Sequence, residues 1–144
     1  MITIRRMQEK DVRRASELEK ENFSEPWSEK AFLETINLDY AHYYVAEAGE
    51  KVIGICGLRN IAREGEITNV VVDKSFRRQG VAEMLLSKVL EDGKTQGIEA
   101  FSLEVRAGNE PAIYLYKKFG FEKEGVRKNF YEKPKEDALI MWKR

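Results

Sequence analysis

The chain has 144 residues, of which 42% are hydrophobic and 35% charged. That is enough apolar material for one buried core and too much for a disordered chain. Its 25 Lys plus Arg balance its 25 Asp plus Glu, so no net charge draws the whole protein to nucleic acid or membrane, and any anion site has to be local.

The N-terminus, Met1-Ile2-Thr3-Ile4-Arg5-Arg6, has no apolar core followed by a cleavage site, so no secretory leader is expected. Short alternation over 2–6 predicts a first strand. Residues 9–22 predict a helix with Val12, Ala15 and Leu18 as its apolar stripe. The break at Ser24-Glu25-Pro26-Trp27 ends it. Ser28 then serves as an N-cap for a second short helix bearing Ala31, Phe32, Leu33 and Ile36.

Residues 43–47 and 52–59, joined at Gly49-Glu50, predict a hairpin with a tight turn. Cys56, the only cysteine, falls in its apolar second arm, where a small buried hydrophobe is the expected role. One cysteine excludes an internal disulfide and a cysteine zinc cluster, and no metal is expected. His42, at the head of the hairpin, reads as structural. Residues 66–73 form a β-branched strand through Ile67, Thr68, Val70, Val71 and Val72.

The clearest helix spans 80–92, with Val81, Met84, Leu85 and Val89 on its inner side and Gly93 past its end. Residues 100–106 alternate, with Phe101, Leu103 and Val105 on one face. Asn109 caps a helix to Phe119 that Gly120 closes, and 121–128 and 138–142 make two final strands. The order β-α-α-β-β-β-α-β-α-β-β predicts one α/β domain over 1–144, a mixed sheet with helices on its faces. No linker, repeat or bilayer-length apolar stretch interrupts it, and a cytoplasmic location is expected.

The most informative segment is Arg77-Arg78-Gln79-Gly80-Val81-Ala82, a basic loop between a strand and a helix. The first turn of a helix leaves about four N–H groups unpaired and carries a partial positive charge of about +0.5. A phosphate satisfies both, Gly80 admits it closely for want of a Cβ, and Arg77 and Arg78 add charge for a second phosphate. The segment matches neither a Walker A loop nor G-x-G-x-x-G. Without further context it also reads as an ordinary solvated turn.

This segment resembles the R/Q-x-x-G-x-G/A signature of the GNAT acetyltransferase superfamily, with Ala82 in place of the commoner glycine. Four further segments resemble one branch, the bacterial ribosomal-protein-alanine N-acetyltransferases. They are Phe23-Ser24-Glu25-Pro26-Trp27-Ser28, Leu103-Glu104-Val105-Arg106, Asn109 through Tyr116 to Phe121, and Arg127-Lys128-Asn129-Phe130-Tyr131 with 136–141. The resemblance spans nearly the whole chain and implies the acyl-CoA N-acyltransferase fold, acetyl-CoA as cosubstrate, and a protein N-terminus as acceptor, that of an alanine-starting small-subunit ribosomal protein.

It also implies roles. Arg77, Arg78, Gln79, Gly80, Val81 and Ala82 would cradle the pyrophosphate. Backbone N–H groups of Val70, Val71 and Val72, on a strand splayed from its neighbour, would meet the pantetheine arm, with Val71 nearest the thioester oxygen. Asn109 would touch the cosubstrate as well as cap its helix.

An α-ammonium with a pKa of about 8 is roughly nine-tenths protonated at pH 7, so the reaction needs a base, an oxyanion donor and an acid for the leaving thiolate. From position alone Glu104 is a surface glutamate or a functional one, and Tyr116 a core tyrosine or a proton donor; the resemblance makes Glu104 the base and Tyr116 the acid. Glu64 and Glu66, before the splayed strand, are reserve bases. Pro26 and Trp27, with Asn129 and Tyr131, resemble loops flanking the acceptor groove. One departure is Phe130, where relatives commonly carry a tyrosine, which bears on selectivity.

Two other functions fit less of the chain. One is a GNAT enzyme for a small amine such as a polyamine, amino acid or aminoglycoside; the glutamates 64, 66 and 104 keep a polycation substrate open. The other is a non-catalytic acetyl-CoA sensor, which would need neither Glu104 nor Tyr116. No nucleic-acid or membrane partner is expected, and the protein is read as a monomer or weak dimer.

Overall fold

The computed structural model describes residues 1–144. Its strands are β1 (Ile2–Arg6), β2 (Ala41–Ala48), β3 (Lys51–Ile61), β4 (Glu64–Val72), β5 (Ala100–Arg106), β6 (Glu122–Tyr131) and β7 (Glu136–Lys143). Its helices are α1 (Val12–Asn22), α2 (Glu29–Ile36), α3 (Val81–Thr95) and α4 (Glu110–Lys118), with 3-10 turns before α1 and after β4. The element order is the one expected from the sequence. The strands form one seven-stranded sheet in the order β1-β2-β3-β4-β5-β7-β6.

Alternation along β2 sends side chains into two cores. Tyr43 and Val45 join Val12, Ala15 and Leu18 of α1 and Phe32 of α2. Tyr44 and Ala46 join Val81, Leu85, Leu86, Val89 and Leu90 of α3 and Tyr116 of α4. The two helix pairs therefore cover opposite faces of the sheet. Ser28 and Asn109 cap as expected, accepting from the N–H groups of Ala31 and Ala112. Cys56 is fully buried in the α3-side core, and burial pushes its thiol up to about 12.

Two features of α3 differ from expectation. Met84 faces solvent, and Leu86 and Leu90 complete the inner stripe. Gly93 lies inside the helix, which runs on to Thr95. A Cβ there would lie 2.6 Å from the Phe101 ring, so Gly93 serves close helix–sheet approach rather than termination. Gly97, with φ +89, is the left-handed residue after the end.

Two irregularities open the sheet. β3 and β4 lose register between Ile55 and Gly57, so that Asn69 and Val70 form a bulge, Asn69 with φ 54. The parallel β4–β5 ladder stops at Ile67 opposite Leu103. Beyond that point the edge of β4 facing β5 has no strand partner.

Candidate active site

The divergence of β4 and β5 opens a cleft of about 580 Å³. Ile67 to Val70 of β4 and Leu103 to Arg106 of β5 form its floor. Phe23, Ser24, Glu25 and Trp27 from the α1–α2 loop make one wall, and Phe130, Tyr131, Lys133 and Pro134 from the β6–β7 hairpin the other. Asn109 and Tyr116 close the end next to α4. Residues about a hundred positions apart in sequence thus meet in one place.

Glu104 projects here because β5 alternates: Leu103 and Val105 turn into the core, and Glu104 between them turns to the cleft. Its side chain is about a quarter exposed, with Arg127 Nε 2.8 Å from Oε2. That approach has ion-pair distance without hydrogen-bond alignment, and Oε2 is buried with no hydrogen-bond donor. Tyr116 is 7% exposed and packs edge-on to Phe121. Burial, then the neighbouring Cys56 and Tyr131, hold its phenol well above the usual tyrosine value.

The expected acceptor residues divide. Trp27 and Tyr131 line the cleft; Pro26 and Asn129 do not. Trp27 is anchored by ring contacts to Phe32 at 5.2 Å and Tyr43 at 6.1 Å. Tyr131 lies under the Arg106 guanidinium at 4.4 Å, and Arg106 also donates to the carbonyls of Glu132 and Pro134, bracing the hairpin. The reserve glutamates 64 and 66 are exposed on the paired part of β4 and stay out of the cleft, as does His42.

At the far end of β4 the chain turns through Lys74–Phe76 into α3. Asp73 holds this turn. It accepts from the Ser75 N–H at 2.8 Å and pairs with Arg14 of α1 and Lys51. Arg77 is drawn back to Asn22 Oδ1 at 2.6 Å, while Arg78 and Gln79 are exposed. Gly80 is the N-cap of α3 in the left-handed region (φ 77, ψ 15), and a Cβ there would meet nothing within 4 Å. The N-terminus of α3, with Val81 and Ala82 in its first turn, is thus open to an anion. From Val70 to Val72 the unpartnered edge of β4 leads from this turn to the cleft, while the Val71 side chain is held in the α1-side core. An arm bearing amide groups fits that edge, as a strand would, and a diphosphate fits the turn.

Residues 12–121 match the model of the Acetyltransferase (GNAT) family. The chain belongs to that family. GNAT members use acetyl-CoA, the chemistry for which this turn and open strand are suited. The chain is 39% identical over 140 residues to a Bacillus subtilis protein named as a candidate ribosomal protein bS18-alanine N-acetyltransferase, covering 96% of this chain and 93% of the relative. It is 32% identical over 143 residues to the Escherichia coli K12 ribosomal protein bS18-alanine N-acetyltransferase, covering 98% and 96%. The crystal structure of the E. coli ribosomal-protein-S18-alanine N-acetyltransferase superposes with a TM-score of 0.92 at 30% identity, over 99% of this chain and 93% of that one.

Sequence reasoning missed Glu19 and Asn69, which also line the cleft. Glu19 had a signal: it lies seven residues after Val12 and four after Ala15, on the apolar side of α1. Asn69 had none, since it reaches the cleft through a bulge that no local pattern announces.

Proposed function

We propose that this GNAT protein transfers the acetyl group of acetyl-CoA to the N-terminal α-amine of a protein, an alanine-starting small-subunit ribosomal protein being the acceptor that its relatives favour. The observation that carries the reading is the pairing, in one cleft, of the partly exposed Glu104 carboxylate and the buried Tyr116 phenol. A small-molecule binder needs neither.

In this mechanism Glu104 takes a proton from the acceptor ammonium. The free amine attacks the thioester carbonyl carbon, forming the C–N bond. A backbone N–H on the open edge of β4 donates to the oxygen as it gains charge, and Val72 presents one there, because Val71, expected in this role, turns its N–H toward Ile55 of β3 as Asp73 does toward Ile53. The C–S bond then breaks, Tyr116 gives its proton to the departing sulfur, and the product amide loses its second amine proton to solvent. Arg77, Arg78, Gln79 and the turn Gly80-Val81-Ala82 hold the diphosphate, and Asn109 contacts the cosubstrate beside α4. Trp27 and Tyr131 orient the peptide from opposite walls; Pro26 acts through the α1–α2 loop and Asn129 through the end of β6. Proteins of this kind work where ribosomes are made, which favours the cytoplasm.

The test is to incubate the protein with acetyl-CoA and peptides varied at their first two residues, and to read acetylation by mass spectrometry. Modification of the α-amine of alanine-starting peptides is expected. Acetylation of free polyamines with no peptide modified would move the protein to the small-amine class. Acetyl-CoA binding without turnover of any amine would make it a sensor.

A further inference from the structure

The mechanism above gives Glu19 no step, yet Glu19 occupies an expensive position. It is 2% exposed, and a buried carboxylate costs several kcal/mol unless its oxygens are satisfied. No lysine or arginine contributes to its environment. Burial pushes its carboxyl above the usual glutamate value, opposed by hydrogen bonds from Trp27 and Asn69. For stability alone an apolar side chain would serve this face of α1 better, so the carboxylate's position is to be explained by what it holds.

It holds two different parts of the cleft. The Trp27 backbone N–H, in the α1–α2 loop, donates to Glu19 Oε1 at 3.0 Å. Asn69 Nδ2, at the β4 bulge, donates to Oε2 at 3.3 Å. The connection continues in both directions. Tyr43 donates to Asn69 Oδ1 at 2.9 Å and shares a hydrogen bond with the Thr68 hydroxyl at 2.8 Å. The Ser16 hydroxyl donates to the Trp27 carbonyl at 3.2 Å, and the Trp27 ring stacks on Tyr43. Glu19, Trp27, Tyr43 and Asn69 close a ring of contacts between the loop and the strand.

We infer that Glu19 is a positioning residue that fixes the acceptor loop against the bulged strand, so that the incoming amine meets the thioester at the distance attack requires. The inference rests on the acetyl-transfer reading above. Each strand and helix in the ring keeps its own backbone bonds, so losing Glu19 releases the loop rather than the fold. The turn at Gly80, past the C-terminal end of β4, is outside the ring.

Two variants test it. Glu19→Ala removes both acceptors. Glu19→Gln keeps an oxygen for the Trp27 N–H, and its amide donates to Asn69 once the Asn69 amide turns over, with Tyr43 then donating to Thr68. For Glu19→Ala, KM for an alanine-starting octapeptide should rise about tenfold or more while the Kd for acetyl-CoA stays within about twofold; Glu19→Gln should recover most of the loss. Trp27 fluorescence, read in a Trp142→Phe background, should shift to the red and become more accessible to acrylamide in Glu19→Ala only. An unchanged peptide KM, an equal loss of acetyl-CoA affinity, or a glutamine variant no better than alanine overturns the inference. A wild-type protein that acetylates no peptide refutes the functional reading instead, and the fluorescence comparison then still decides whether Glu19 holds the loop.

Discussion

The anion turn is best tested with the smallest possible change, Gly80→Ala. Gly80 has φ 77, and an added Cβ meets no protein atom within 4 Å. The cost to the fold is therefore the left-handed backbone strain alone, about 1 kcal/mol, or a fall in Tm of about 3–5 °C for a chain of this size. The cost to binding is separate, because the new methyl group occupies the space a phosphate needs against the α3 N-terminus. Losing one charge-assisted N–H contact, worth about 1.5 kcal/mol, weakens acetyl-CoA binding about tenfold. The structure supplies its own control. Gly97, after the other end of α3, has φ +89 and equally open space around a Cβ, so Gly97→Ala should lower Tm to the same degree and leave acetyl-CoA binding alone. Scanning calorimetry gives the first quantity and titration calorimetry the second. Gly80→Ala binding acetyl-CoA as tightly as Gly97→Ala would refute the argument that the diphosphate seats at this helix start.

Four further outcomes are expected. Glu104→Gln should lower kcat by about 10²–10³-fold with acetyl-CoA affinity intact, and a wild-type pH–rate profile would remove Glu104 from the proton path. Tyr116→Phe should slow turnover at least about tenfold with little change in Tm; an unaltered rate would leave Tyr116 a core residue only. Gly93→Ala should destabilise the protein by about 1–3 kcal/mol, measured by urea unfolding, because the new methyl must displace the Phe101 ring. Asp73, first through the Ser75 N–H and then through Lys51 and Arg14 against the opposing effect of burial, has its carboxyl held below its ordinary 3.8. Its contribution is therefore present above that pH and lost as pH falls through the lower folded value. Asp73→Asn should be less stable at neutral pH and show a shallower fall in stability below about pH 4; identical acid-side slopes would exclude this role.

Much of the molecule is legible without coordinates because the relevant physics is local. Period-two alternation in Ala100–Arg106 places Glu104 opposite Leu103 and Val105, and the structure keeps that arrangement. Ser28 and Asn109 announce their helices because a side-chain oxygen two or three residues from a free N–H needs no tertiary partner. The basic loop before Gly80 marks the helix start for the same reason. Where periodicity leaves a choice, the sequence reading goes astray: Met84 and Leu86 both adjoin the α3 stripe, and only packing in the α3-side core decides that Leu86 is covered. Gly93 resembles a helix stop until the Phe101 ring is seen against it.

The amino-acid order by itself determines the succession of elements, most of their inner faces and the basic turn that opens α3 at Gly80, each set by interactions within a few residues. Tertiary structure alone decides the opening of the sheet after Ile67, the left-handed bulge at Asn69, the approach of Arg127 to Glu104 and the burial of Glu19. These depend on strand pairing and on contacts between residues up to fifty apart in sequence. Such contacts leave no periodic trace, because their geometry exists only after the chain has closed upon itself.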